Sequence, residues 1–359
     1  MMRTNVSLAR LNTFGLPAVA ARYLPLTDPR QLEDDTFRRA PALVLGGGSN
    51  LLLLDELPGL TVHVLLGGVQ QLGAGAVAER SRSTGAKKGE TVGEVRLRVG
   101  AGVDWNQLVR YTLDRGWAGL ENLILIPGTV GAAPVQNIGA YGAEVAEFIT
   151  AVHVWEYGVG PRTLTPDDCA FGYRDSRFKR EPDRFLITAV DFRLNRPDHE
   201  LRTGYGAITA ELERLAIAEP SAADVALAVT NIRRSKLPDW FFLGNSGSFF
   251  KNPVVPLSEL ERIRAEYPDV PAYPVSATTV KLPAGWLIDR AGLRGARFGR
   301  VGSYERQALV VVNHGGATGR EILEYSRFVQ ATVQRQFGVE LEREVRLFGS
   351  QREGELTSG

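Results

Sequence analysis

The chain has 359 residues, of which 44% are hydrophobic and 23% charged, with a net charge of +1. That length exceeds one ordinary core and predicts two or three domains of a soluble globular protein. The charge balance excludes whole-molecule attraction to nucleic acid or an anionic membrane, and no apolar run approaches the ~20 residues that cross a bilayer.

In chain order, ALVL (42–45) predicts a short buried strand, with GGGSN (46–50) immediately after it. Residues 71–93 are small, polar and unpatterned, as expected of a flexible insertion between strands. EVRLRVGAG (94–102) alternates like a strand and then turns. A helix follows, capped by Asp104 with Gln107 three residues on, with Trp105, Leu108, Val109 and Leu113 as its stripe and Gly116 as its stop. Strands are expected near 151–157 and 186–194, and then a helix over 221–235, with Ser221 and Asp224 in its first turn and KLPD (236–239) ending it. LSELERIRAEY and AGWLIDRAG predict short helices. A longer one runs from Thr318, boxed by Glu321, along Ile322, Phe328, Val329, Val333 and Phe337 to Gly338. The last element, VELEREVRLFG, predicts a strand with Val339, Leu341, Val345 and Leu347 on one face and Glu340, Glu342, Glu344 and Arg346 on the other. Small strands and helices without a regular βαβ repeat predict an α+β fold.

The opening MMRTNVSLARLNTFG lacks an apolar signal core, and Cys169, the one cysteine, cannot form an internal disulfide. A reducing, cytoplasmic setting is expected. The four histidines show no ligand spacing, so no metal is expected either. GGGSN by itself is more often a tight turn than a phosphate cradle, since it lacks the P-loop lysine and is not G-x-G-x-x-G. The second small-residue stretch, IPGTVGAAPVQNIGAYG (126–142), shifts that balance. Two such segments in one domain suit a long ligand with a pyrophosphate and a flat ring, because main chain without side chains can approach both closely.

Ser248 in GNSGSFFKNP (244–253) has three readings: nucleophile, proton donor or turn residue. No histidine sits in a recognisable partner motif, which weakens the first, and spacing alone favours the turn. FGYRDSRFK (171–179) is a solvated loop or an anion-recognition loop built on Arg174. Glu344 reads first as one of several acidic residues on a wet strand face.

These stretches together resemble one family. NTFG (12–15), GGGSN, GLENLILIPGTVGAAPVQNIGAYG (119–142), FGYRDSRFK, KLPD, GNSGSFFKNP, KLPAGWLID (281–289) and LEREVRLFG (341–349) are similar, in order, to the UDP-N-acetylenolpyruvoylglucosamine reductases of peptidoglycan-precursor synthesis. The resemblance spans nearly the whole chain. It implies a two-part FAD-binding region of the vanillyl-alcohol-oxidase type: residues 1–67, with 339–359 returning near them, and residues 68–235. A C-terminal α+β substrate-binding domain over 236–338 is implied as well. FAD, bound non-covalently, is the implied cofactor, NADPH the hydride donor, and a nucleotide sugar the substrate. Neither nucleic acid nor membrane is expected as a partner, and the protein is expected to be a cytoplasmic monomer.

The resemblance also assigns residues. Ser248 becomes the proton donor, and Arg174 and Glu344 stabilise charge on the substrate carboxylate, with Glu344 sharing a proton there. Cofactor contacts fall on Gly46, Gly47, Gly48, Ser49, Asn50, Gly128, Thr129, Gly131, Asn137, Gly139 and Ala140. Substrate contacts fall on Tyr173, Tyr205, Arg233, Lys236 and Asn252, with Tyr205 in TGYGAI marking the subgroup whose tyrosine loop caps the substrate diphosphate. Two other classes are weighed against this: another FAD-dependent oxidase, which would recolour in air, and a colourless non-catalytic nucleotide-sugar binder.

Overall fold

The computed structural model describes residues 1–72, 94–194 and 200–349. Most of the expected insertion, residues 73–93, lies outside them. The chain forms two compact units. The first holds Met1, Leu24–Gly47 and Val62–Ser235; the second holds Met2–Tyr23, Gly48–Thr61 and the chain from Lys236 onward.

The first unit is built on a five-stranded antiparallel sheet in the order Gly160–Leu164, Ile149–Glu156, Phe185–Leu194, Val95–Gly100, Val69–Leu72. Alternation explains its two faces. Val99, Val152, Val154, Val190 and Phe192 are buried. Asp191, between Val190 and Phe192, points the other way and binds Arg98 Nε at 2.8 Å and His153 Nε2 at 3.0 Å. The helix Trp105–Leu113 starts where expected, with Asp104 accepting from the Gln107 N–H at 2.8 Å. Trp105 packs on Phe192 with ring centroids 6.1 Å apart and donates its indole N–H to the Leu123 carbonyl. Thr112 is buried where Leu113 was expected, and Leu113 is half-buried. The helices Gly206–Arg214 and Ala222–Lys236 are joined by Asn231, whose amide donates to Glu211.

The second unit holds an antiparallel sheet in the order Gly244–Ser248, Gln307–Asn313, Val301–Tyr304, Arg297–Phe298, and a three-stranded sheet formed by Val254–Pro256, Thr279–Lys281 and Tyr273–Pro274. The helix Gly319–Phe337 covers the core with Ile322, Val329, Val333 and Phe337. Its capping box, Thr318 with Glu321, and its left-handed Gly338 stop are as expected. Phe328 is not part of the buried stripe. It is 41% exposed and stacks on Phe298 at 4.9 Å, while Leu323 and Tyr325 turn inward.

The expected last strand is also revised. Residues 341–349 form a single bridge, a bend at Val345, and a three-residue strand, Arg346–Phe348. The cause is a change of partner. Arg343 bridges Phe250, whereas Arg346–Phe348 pairs in parallel with Leu51–Leu53. Inside–outside alternation survives at Val339, Leu341 and Val345, which are buried, because the bend preserves the period.

Cys169 is fully buried, and burial together with the Asp168 carboxylate pushes its thiol up to about 12. A raised thiol pKa leaves little thiolate near neutrality, so alkylation at pH 8 should be slow in the native protein. The expectation is less than about a tenth modification by iodoacetamide in the time that fully modifies denatured protein. Equal rates, read by mass spectrometry, would contradict this burial.

Candidate active site

The two glycine-rich segments meet in the first unit. A Cβ on Gly46 would lie 2.7 Å from Thr129 Oγ1, and one on Gly47 would lie 2.8 Å from the Gly128 Cα. Only glycine permits this approach of main chain to main chain. Gly131 lies against Ala101, where its Cβ would be 2.6 Å from that of Ala101, and its N–H bonds the Ala101 carbonyl. The result is two segments packed in direct contact, with no layer of side chains between them.

The rest of the second glycine-rich segment makes a tight hairpin. Gly139–Ala140 pairs with Ala143–Glu144, and the two turn residues, Tyr141 and Gly142, have φ of 50° and 82°. Two successive positive φ values are the signature of a type I′ turn. Arg174 comes to this hairpin from a second turn, Gly172–Asp175, closed by reciprocal main-chain hydrogen bonds of 3.0 and 3.1 Å. Arg174 has φ 52°, and its guanidinium donates to the carbonyls of Gly139 and Asn137. The exposed Tyr173 ring lies 5.8 Å from the Arg174 guanidinium carbon.

Tyr141 meets Tyr205 edge to face at 5.5 Å. The Arg233 Nε is buried and has no hydrogen-bond partner among the described residues. Burial holds the Arg233 pKa below its ordinary value; Tyr141 opposes this and the charge of Arg174 adds to it. Burial raises the pKa of Tyr141, with Arg233 pulling it back. Two guanidinium groups acting against each other, one with a donor unused, form a site suited to an anion.

Beside them lies a cavity of about 650 Å³ lined by Glu121, Asn122, Tyr141, Phe148, Arg202 and Tyr205 among others. The segment bearing Tyr205 is tied down by Arg202. Its guanidinium binds both Glu147 carboxylate oxygens and the Gly142 carbonyl, while Asn122 donates to the Arg202 and Tyr141 carbonyls. Arg202 and Glu147 lie outside every quoted motif, and Asn122, within the 119–142 motif, was not singled out; none of the three was expected from the sequence. The one available signal was their position next to the tyrosine motifs.

In the second unit the strand Gly244–Ser248 is irregular. Its pairing with Gln307–Asn313 shifts register between Asn245 and Ser248, and Gly247 sits at φ 67°. This is a bulge with glycine in the left-handed position, a device that re-aims the next side chain. That side chain is Ser248, which is exposed, while Phe249 and Phe250 behind it are buried. Ser248 is therefore neither mid-strand filler nor an ordinary turn residue.

Glu344 is held nearby. Its N–H donates to the Phe249 carbonyl at 2.9 Å, and Lys251 N–H donates to the Glu342 carbonyl at 2.9 Å. Asn50 adds a third tie: its side-chain amide donates to the Glu344 carbonyl at 3.3 Å, and its own carbonyl accepts from Arg346. The last residue of GGGSN thus braces the glutamate. Gly48 crosses Leu11 and Asn12 at φ 65°, and Ser49 links it to Asn50. Asn252 Oδ1 accepts from Ala284 N–H at the start of a helix, and Lys236 is exposed at the end of another.

Comparison with known proteins bears on this geometry. Residues 36–160 match the FAD binding domain family, and residues 239–348 match the C-terminal domain of UDP-N-acetylenolpyruvoylglucosamine reductase. The UDP-N-acetylenolpyruvoylglucosamine reductase of Chromobacterium violaceum is 47% identical over 95% of this chain and 97% of its own. This chain belongs to the UDP-N-acetylenolpyruvoylglucosamine reductase family. The reductase of Pseudomonas aeruginosa is 43% identical over 97% of this chain and 99% of its own. The crystal structure of the Thermus caldophilus reductase superposes with a TM-score of 0.64 at 26% identity, covering 97% of this chain and 100% of that one. The protein is accordingly an FAD-dependent oxidoreductase with the α+β fold of its family. No helix among the described residues is long and apolar enough to cross a membrane, and no cluster of metal-binding side chains occurs among them.

The bulge gives a direct test. The space around Gly247 is open, so an added methyl meets only backbone strain, about 1–2 kcal/mol for a left-handed alanine. Gly247→Ala should lower the melting temperature by several degrees, and Gly247→Asn by less, since asparagine tolerates that backbone. Equal behaviour of the two variants would count against the left-handed bulge.

Proposed function

We propose that the protein reduces UDP-N-acetylglucosamine enolpyruvate to UDP-N-acetylmuramate, with NADPH as electron source. The observation that carries this reading is the pairing of residues 249–251 with 342–344, which keeps Ser248 and Glu344 on neighbouring stretches of chain in the second unit. When bound, FAD supplies a hydride taken from NADPH. Main chain at Gly46–Asn50, Gly128–Gly131 and Asn137–Ala140 holds it.

The substrate carboxylate binds Arg174, with Arg233 adding charge to the same anionic region. Adding a hydride to the enolpyruvyl methylene drives negative charge onto that carboxylate. A fixed guanidinium stabilises such charge best when its orientation is set beforehand. Glu344 shares a proton with the carboxylate. Ser248 delivers a proton to the carbon bearing the ether oxygen, so the C=C bond gains one hydride and one proton. Tyr205 and Tyr173 close over the diphosphate, and Lys236 and Asn252 hold the nucleotide portion. The division between Ser235 and Lys236 places Arg174 and Ser248 in different units. Both nucleotides are cytoplasmic compounds, and the enzyme is placed with them, acting as a monomer.

An anaerobic absorbance titration tests the whole reading. A yellow protein should bleach with NADPH and recolour on addition of the enolpyruvyl nucleotide. Recolouring by air alone would favour an oxidase instead.

Ser248→Ala should leave bleaching by NADPH unchanged and slow recolouring by the substrate about 10²–10⁴-fold, the range for a lost general acid. Equal slowing of both half-reactions in stopped flow would remove Ser248 from that role. Tyr205→Phe should raise the Michaelis constant for the enolpyruvyl nucleotide about 10–100-fold, as for loss of one hydrogen bond to a charged group. An unchanged constant would exclude the phenol from substrate binding.

A further inference from the structure

Asn137 occupies an unusual place beside Arg174. It is 1% exposed, has φ 44°, and uses every hydrogen-bonding atom of its side chain inside the protein. Its amide nitrogen donates to the Glu144 carboxylate at 2.7 Å and to the Gly172 carbonyl at 3.1 Å. Its amide oxygen accepts from the Ala146 N–H at 3.0 Å. Gly172 opens the turn that presents Arg174, and the main-chain carbonyl of Asn137 is itself one of the acceptors for the Arg174 guanidinium. One residue therefore grips both ends of the arginine: the backbone from which it springs and the charged head.

Glu144 completes the arrangement. It lies opposite Gly139 in the hairpin, and the Gly139 carbonyl is the other acceptor for Arg174. The carboxylate orients the Asn137 amide by a charge-assisted hydrogen bond. That in turn fixes the amide on Gly172. The bracing has a physical reason. A non-glycine residue in the left-handed region is strained and persists only where the surroundings over-determine it. Arg174, at φ 52°, is in that position. Left to itself, the turn would relax and the guanidinium would swing.

We infer that Asn137 and Glu144 are positioning residues for Arg174, holding its guanidinium in the orientation that meets the substrate carboxylate. This rests on the proposed role of Arg174. Glycine at 137 keeps the left-handed backbone without strain while deleting the amide, so Asn137→Gly isolates the side chain's contribution.

Three readouts on the intact flavoprotein test it: flavin reduction by NADPH, reoxidation by the enolpyruvyl nucleotide, and calorimetric binding of that nucleotide to the oxidised protein. Asn137→Gly keeps the main chain proposed to meet the cofactor, and should slow the second about 10–100-fold more than the first and weaken the third about tenfold, as for a misplaced catalytic group. Glu144→Ala should act in the same direction, and Glu144→Gln, which retains an acceptor oxygen, should recover most of the loss. In an Arg174→Lys background, Asn137→Gly should add less than about threefold, because the group it positions is gone.

Normal reoxidation and binding in Asn137→Gly would overturn the inference, as would equal slowing of both half-reactions or full additivity with Arg174→Lys. Arg174→Lys with undiminished reoxidation would overturn the reading of Arg174 itself. Should Asn137→Gly fail to accumulate with flavin, Asn137→Asp is the second variant. It tolerates the left-handed backbone and keeps the acceptor for Ala146 while losing the donor to Gly172, and the same results decide.

Discussion

Both units depend on main chain packed directly against main chain. In the first, Gly46 and Gly47 lie so close to Gly128 and Thr129 that any side chain would collide. In the second, a Cβ on Gly319 would fall 1.9 Å from the Leu53 carbonyl and one on Gly244 would fall 2.3 Å from that of Phe14. Such contacts bring strands, turns and helix ends within hydrogen-bonding range of segments far away in sequence. The close packing of 46–47 on 128–129 and the seating of the strand that carries Ser248 both follow from this one steric condition. Larger residues at these places would separate the segments by a side-chain layer, and the donors would no longer converge.

The anion site shows the opposite preference. Arg174 and Arg233 are placed where their charges oppose each other, and Arg233 keeps a buried donor without a partner among the described residues. A fold selected only for stability would pair or remove such groups, because a buried unsatisfied donor costs about 1–3 kcal/mol. The strained φ of Arg174 adds to that cost. Local rules are broken together at this one place, which is where function, rather than stability, sets the residue choice.

Much of the architecture was legible from local chemistry. Asp104, Thr318 with Glu321, and Gly338 announced helix ends because caps are satisfied within a few residues. Strands were expected at three of the five members of the first unit's central sheet, Val95–Gly100, Ile149–Glu156 and Phe185–Leu194, but not at its two edges. The last segment was misread as one strand because its partner changes at Val345, and no local pattern records a partner. Phe328 was misplaced because an aromatic stripe does not say whether it meets the core or Phe298. At the site, motif likeness pointed to Ser248, Arg174 and Glu344. The resemblance named Asn50 and Asn137 as cofactor contacts, but their bracing of Glu344 and Arg174 was not legible, and neither were Glu144, Arg202 and the bulge at Gly247, since no motif records the neighbours on which each depends.

The tie between Asn50 and Glu344 spans 294 positions of chain. Loop closure on that scale forms late, since the entropy of joining distant segments precedes any return from the contact. On the ribosome, the strand Leu51–Leu53 must wait for almost the whole chain to emerge before Arg346–Phe348 can pair with it. The glutamate beside Ser248 therefore takes its place among the last events of folding. A nascent chain can pack Gly46 and Gly47 against Gly128 and Thr129 well before Arg346–Phe348 exists to pair with Leu51–Leu53, so the segment carrying Glu344 is ordered only after residues 346–348 have emerged.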